Sequence, residues 1–192
     1  MGLTQPIRNL NEVCKIAEYY EKLGQHRNQL LMVFQLLAAL RISDVLNIKC
    51  EQVYNFKTGQ PLKIISIKEK KTGKTRTIEL NQQIIDALIM YYPQARKGQS
   101  LILNKKTGKP ISRSHATRLV AKAGEAVGIN QKVSCHSLRK TFGYQAWKMG
   151  TSPVILMEIY GHSSYKITRR YLGITQDELN IVYTGLNFKL TT

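Results

Sequence analysis

Residues 135–141 read CHSLRKT. His136 and Arg139 stand three apart, which on a helix puts them on one face, and Lys140 follows directly. A histidine satisfied in the core and an arginine in an ion pair would be the ordinary reading of such a turn. No acid, however, occurs between Gly128 and Met157. A cluster left positive in this way suits an anion. Three other stretches bear on which anion: ALRISDVL at 39–46, KKTGKTRTIEL at 70–80 and YGHSSYKITRRYLG at 160–173.

The whole chain has the same bias. Its 192 residues carry 29 Lys and Arg against 12 acids, a net charge of +17. A surplus of this size points to a polyanionic partner. The charges are spread along the chain rather than gathered on one amphipathic helix, which favours nucleic acid over a membrane surface. With 43% hydrophobic residues the chain can bury a core, and its length predicts one domain over 1–192. The longest apolar run, LLMVFQLLAAL, has 11 residues, too few to span a bilayer. Cys14, Cys50 and Cys135 are scattered and lack CxxC spacing, so neither a disulfide framework nor a zinc site is expected. A reducing cytoplasm fits, and the N-terminus has no apolar signal-peptide core.

Helical signals dominate. Asn11 is a candidate cap for LNEVCKIAEYYEKLG, with Gly24 as its stop, and residues 28–40 are apolar nearly all round, as a buried helix would be. Ser43 can cap a short helix through Val45, Leu46 and Ile48. LKIISIKEKKTGKTRTIEL then changes period; alternation, β-branched residues and Thr72-Gly73 predict a hairpin, with a third strand at 100–104. Asn81, Ser112 and Ser152-Pro153 open further helices, Gly161 ends one, and Thr175 with Glu178 makes a capping box for the last. The expected fold is α+β, mainly α-helical, with one small three-stranded antiparallel sheet.

Individually the remaining candidates are weak. Arg41 follows an apolar run and must reach water, a carboxylate such as Asp44, or a ligand. Lys71 sits on a turn, where lysines are usually solvated. His162 lies at a helix break after Gly161. Tyr171 follows it by nine residues among 10 tyrosines, most of which would be core. The same stretch mimics a helix-turn-helix, which keeps a plain DNA-binding module in view.

Taken in order, ALRISDVL, KKTGKTRTIEL, HSLRKTF and YGHSSYKITRRYL resemble the catalytic-domain motifs of tyrosine recombinases, the phage integrase family. The resemblance covers residues 10 to 184. It implies an integrase-like catalytic domain in which Arg41, Lys71, His136, Arg139 and His162 bind and activate a DNA phosphate and Tyr171 attacks it. Lys68, Lys70 and Lys74 neighbour Lys71, which is chosen for its spacing to Ile78-Glu79-Leu80. Glu79 stands where the family has a proline. The core-binding and arm-binding domains that most members carry ahead of this one are expected to be absent. An excised catalytic domain and a naturally short member, like the fimbrial switch invertases, both remain open.

The chemistry has a physical logic. Attack on a phosphodiester adds charge to its oxygens, and two guanidiniums offer paired donors to them. Fixed cations would stand in for a divalent metal, since no carboxylate cluster or HExxH motif occurs, and no metal or cofactor is expected. At a reference pKa of about 10 only roughly 0.1% of a tyrosine is phenolate at neutral pH, a deficit of about 4 kcal/mol. Nearby guanidiniums are expected to favour the phenolate. The resemblance makes His136 the candidate base; the departing 5′ oxygen is an alkoxide of high pKa that needs a proton, and Lys71 is the candidate acid for it. A phosphotyrosine keeps the bond energy for rejoining, so no ATP is needed and no P-loop occurs.

The resemblance therefore implies a site-specific recombinase acting through a covalent 3′-phosphotyrosine. Its partner would be double-stranded DNA rather than RNA, and it would be encoded by a bacterium, phage or mobile element. Four protomers would assemble on DNA, the segment holding Leu179, Ile181, Val182, Tyr183 and Leu186 docking on a neighbour. A catalytically silent DNA-binding regulator and a type IB topoisomerase-like activity are the alternatives.

Overall fold

The computed structural model describes residues 4–186. Two helices open the fold, α1 (Leu10–Lys22) and α2 (His26–Leu37). The side chain of Asn9, not Asn11, caps α1 by accepting the Asn11 N–H. Gly24 follows the helix with φ +65°. Helix α2 is the apolar centre, with Leu30, Leu31, Met32 and Phe34 fully buried. Each such side chain contributes about 1.5–3 kcal/mol of hydrophobic free energy. The short α3 (Ile42–Asn47) follows, with Arg41 rather than Ser43 at its cap position.

Three small antiparallel ladders come next in the chain: β1 (Tyr54–Asn55) with β2 (Gln60–Pro61), β3 (Ile64–Lys68) with β4 (Thr75–Glu79), and β5 (Leu103–Asn104) with β6 (Lys109–Pro110). The hairpin β3–β4 holds register from Ile64↔Glu79 to Lys68↔Thr75. It alternates as expected, burying Ile65 and Ile67. The third strand does not join it, so among the described residues there are three two-stranded ladders rather than one three-stranded sheet. The cause is burial: Leu101 and Ile102 are consecutive and both fully buried. A segment buried on both sides has no solvent face to align with the hairpin. Its backbone pairs instead with Ile48 and Ile111.

Six more helices complete the description: α4 (Gln82–Tyr91), α5 (Arg113–Ala126), α6 (Cys135–Lys148), α7 (Pro153–Tyr160), α8 (Tyr165–Leu172) and α9 (Thr175–Gly185). Asn81, Ser112 and Ser152 cap α4, α5 and α7 as their sequences predict. The mainly helical α+β class stands. No capping box forms at α9, because Glu178 turns away to the Tyr165 hydroxyl and to Arg169. Helix α6 joins two apolar clusters. Its Leu138 belongs to the main core around α2, and its Tyr144 to a smaller cluster with Leu156, Tyr160, Leu172 and Ile174. Among the described residues no helix is long and apolar enough to cross a membrane.

Candidate active site

Helix α6 begins where a reciprocal Ser134–Ser137 capping box fixes its first turn. That start places His136 and Arg139 one turn apart, facing the gap between the two apolar clusters. Arg139 is only 4% exposed, yet its buried Nη1 has no hydrogen-bond partner. A buried guanidinium donor without an acceptor is costly, and an anion in the cleft would satisfy it. The face of Tyr160 lies 5.1 Å from its Cζ, and the Tyr160 hydroxyl donates to the Arg139 carbonyl at 2.7 Å.

Arg41 reaches the same gap because the chain breaks sharply between α2 and α3. Ala39 has φ +50°, the only left-handed residue other than glycine among the described residues. Such a conformation is strained for a residue with a Cβ and persists where the surroundings require it. Arg41 follows in extended conformation, and its Nη1 donates to Glu69 Oε2 at 2.9 Å. The expected partner Asp44 does not take this role. It is buried, and its Oδ1 accepts the backbone N–H of Lys70 at 3.0 Å, tying α3 to the hairpin turn. Lys71 stands exposed on that turn.

The left-handed Gly161 ends α7 and throws His162 into the gap. The Ser164 side chain then starts α8, which carries Tyr171 two turns later. His162 Nδ1 lies 3.0 Å from Thr168 Oγ1, which fixes its ring. Tyr171 is half-buried, with Leu172 fully buried beside it as an anchor. Its ring centroid is 5.4 Å from His136, 5.2 Å from His162 and 5.1 Å from Tyr160. Lys140 Nζ sits 5.0 Å from the same centroid.

All six sequence-predicted residues line one cleft of about 590 Å³. Lys70 and Arg113, which the sequence reading did not single out, line it too, and no acid does. Arg113 directly follows the Ser112 cap, so the start of α5 was the available signal. Lys68 and Lys74 do not line the cleft. Among the described residues no cluster of His, Cys, Asp and Glu could hold a metal ion.

The protonation states follow from burial and charge. His136 is held below the ordinary 6.5 by loss of water on its packed edge, then by Lys140, Arg139 and Arg41. His162 is also lowered, by burial and then by Arg139, Arg41 and Lys71. Both imidazoles are therefore neutral at pH 7. At Tyr171 burial raises the pKa and outweighs Arg139 and Arg41, which lower it as expected. The guanidiniums alone therefore do not ionise this phenol.

Such an arrangement defines a class: a cation-lined cleft suited to a polyanion, with two imidazoles beside the Tyr171 phenol. The sequence profile of the phage integrase family matches residues 7–178. The chain is 32% identical over 183 residues to the Bacillus subtilis (strain 168) protein named probable integrase/recombinase YoeC, covering 95% of this chain and 97% of that one. The crystal structure of XerA recombinase superposes with a TM-score of 0.76 at 20% identity, over 97% of this chain and 67% of that one. XerH site-specific recombinase, bound to palindromic difH substrate in a post-cleavage complex, gives 0.73 at 20% identity, over 95% of this chain and 53% of that one. The chain belongs to the phage integrase family. Its fold is the one those recombinases share, and it spans about half to two thirds of their length.

Proposed function

We propose that the protein is a site-specific DNA recombinase that cuts and rejoins strands through a covalent 3′-phosphotyrosine at Tyr171. The observation that carries this reading is the phenol's setting, between two neutral imidazoles and against the guanidinium of Arg139. Binding alone does not require a tyrosine there.

In the forward step the Tyr171 Oη attacks the scissile phosphorus and the P–O5′ bond breaks. His136 takes the phenol proton, which its neutral state at pH 7 permits. Lys71 gives a proton to the departing 5′ oxygen. Arg41 and Arg139 hold the non-bridging oxygens as their charge grows, and His162 bonds the same phosphate. Removing one fixed oxyanion donor costs on the order of 10²–10³ in rate in other enzymes. Rejoining runs the same steps backward with another strand's 5′ hydroxyl, so no external energy is consumed. The remaining Lys and Arg surplus grips the duplex backbone, and affinity falls with salt at a log–log slope of about −0.9 per phosphate contact.

Assembly is part of the proposal. No residue of α9 is buried, and Ile181, Val182, Tyr183 and Leu186 are 60%, 58%, 75% and 64% exposed. An apolar face of this kind suits docking on a second copy of this chain, in a tetramer around two duplexes.

A nicked duplex carrying the target site is the decisive substrate, because loss of the short downstream strand traps the adduct. The wild-type chain should give a denaturation-resistant protein–DNA species, and Tyr171→Phe should abolish it while keeping DNA affinity. An adduct that survives in Tyr171→Phe sinks the assignment of the nucleophile. DNA binding with no adduct on any target would favour a silent regulator, and relaxation without sequence preference a topoisomerase.

A further inference from the structure

We propose that Glu69 is a positioning residue that aims Arg41 and sets the Lys71 turn against it; this rests on the recombinase reading of the cleft. Glu69 follows β3 and is only 6% exposed. It does not line the cleft. Its carboxylate nevertheless meets three partners at once. Oε2 accepts from Arg41 Nη1 at 2.9 Å and from Thr72 Oγ1 at 2.8 Å, and Oε1 forms an ion pair with Arg76 Nη2 at 2.9 Å.

Each partner leads to a different wall of the cleft. Arg41 comes from the α2–α3 break. Thr72 lies next to Lys71 on the hairpin turn, and the Glu69 backbone closes that turn through Glu69 N–H to Lys74 O and Gly73 N–H to Glu69 O. Arg76 continues to the carbonyl of Ile159 in the last turn of α7, three residues before His162. One buried carboxylate thus links the segments that present Arg41, Lys71 and His162. The pattern is more specific than a structural salt bridge requires, because two guanidiniums and a hydroxyl converge on a single group.

The energetics support a fixed anion. Burial alone would raise the Glu69 pKa, but Thr72, Arg76 and Arg41 together outweigh it and hold it below the ordinary range. It stays ionised, and a charge buried in this way is tolerated only while its partners remain in place. Arg41 has five N–H donors in a rigid fork. Holding one edge on Glu69 leaves the rest aimed at a phosphate, whereas a free guanidinium would sample other rotamers.

The charge gives the proposal a test that a folding defect cannot imitate. Glu69→Gln removes one negative charge from behind the phosphate site while keeping the side chain's shape. DNA affinity should stay the same or tighten, and adduct formation should slow by about 10–100-fold, the scale of a misplaced catalytic group. The two effects have opposite signs, whereas loss of folded protein lowers both. Affinity is read by fluorescence anisotropy on the labelled target duplex, and rate by single-turnover adduct formation on the nicked duplex.

Glu69→Asp keeps the charge and should cleave faster than Glu69→Gln, though slower than wild type. Should Glu69→Gln fail to fold, Glu69→Asp decides: at wild-type affinity, a rate at least about threefold down supports the role, and a wild-type rate overturns it. A folded Glu69→Gln that cleaves within twofold of wild type, or that loses affinity and rate together, also overturns it. If wild-type protein forms no adduct while binding DNA, the recombinase reading itself fails, which is a separate result.

Discussion

Gly143 lies on α6 where α7 and α8 press against it, and a single methyl group there should disturb the cleft without touching it. A Cβ built on Gly143 would stand 2.5 Å from the Tyr160 hydroxyl and 2.6 Å from Leu172 Cδ2. Neither neighbour can yield freely. Leu172 is fully buried, and Tyr160 is 1% exposed with its hydroxyl bonded to the Arg139 carbonyl. Overpacking of a core costs about 1–3 kcal/mol, and loss of the buried hydrogen bond adds about 1 kcal/mol. Alanine's better helix propensity returns about 1 kcal/mol. Gly143→Ala should therefore destabilise by about 2 kcal/mol, which for a chain of this size lowers Tm by roughly 4–8 °C. Reaching ordinary contact distance requires Leu172 to retreat by about 1 Å. Tyr171 is its chain neighbour, so adduct formation should slow by up to about 100-fold. Thermal melts by circular dichroism and single-turnover cleavage on the nicked duplex measure both effects. Gly185→Ala at the end of α9, with nothing within 4 Å, is the control and should neither lower Tm nor slow cleavage. A Gly143→Ala chain with wild-type melting and wild-type cleavage would refute the close-packing argument. One that melts lower but cleaves normally would refute the coupling to Tyr171.

The pH dependence has a definite sign. His136 and His162 are held below 6.5, so the unfolded chain takes up protons that the folded chain refuses. Stability should be flat above about pH 6.5 and fall as pH drops through the folded-state values; Glu69, held below 4.5, adds a second loss at lower pH. In kcat/KM the base limb assigned to His136 should lie below pH 6.5 and vanish in His136→Gln; a limb above pH 7 would be against a neutral base. Arg8 fastens the α8–α9 corner, donating to the Gly173 carbonyl at 2.8 Å, pairing with Asp177 and lying over Tyr144. Arg8→Ala should cost about 1–2 kcal/mol and speed limited proteolysis after Gly173, whereas an unchanged digest would show that the corner is held elsewhere. A chain ending at Gly173 should bind DNA as a single protomer where the full chain assembles, as read by light scattering. Equal masses on DNA would remove α9 from the interface.

What could be read from the sequence was what short-range chemistry decides. The caps at Asn81, Ser112 and Ser152 use a side chain within three residues of its target, and the left-handed stop at Gly161 needs only a missing Cβ. The cleft was legible because the cations come in short motifs whose order carries the information, even though Arg41 and Tyr171 are far apart in sequence. The misses share a different cause. Glu178 sits where a capping box should form, but the Tyr165 hydroxyl and Arg169 compete for it. Arg41 had Asp44 at hand but pairs with Glu69, 28 residues on. The third strand has the right composition, yet burial of both Leu101 and Ile102 withdraws it from the hairpin. In each case a tertiary partner outbids a local one, and no window of sequence displays that contest.

Without DNA, the site is chemically quiet, and the reason is electrostatic. Burial keeps the Tyr171 phenol protonated, and burial first, then the crowd of cations, keeps both imidazoles neutral. A phosphate entering the cleft changes the balance. It neutralises Arg41 and Arg139 in part and weakens the repulsion that, after burial, depresses His136 and His162. Their proton affinity therefore rises when a substrate is in place to be attacked. The phenol cannot gain from this, because an added anion disfavours phenolate. Substrate binding thus strengthens the base rather than ionising the nucleophile beforehand. In the proposed mechanism, proton transfer from Tyr171 to His136 is then coupled to attack, which limits stray reaction of a free phenolate in the empty cleft.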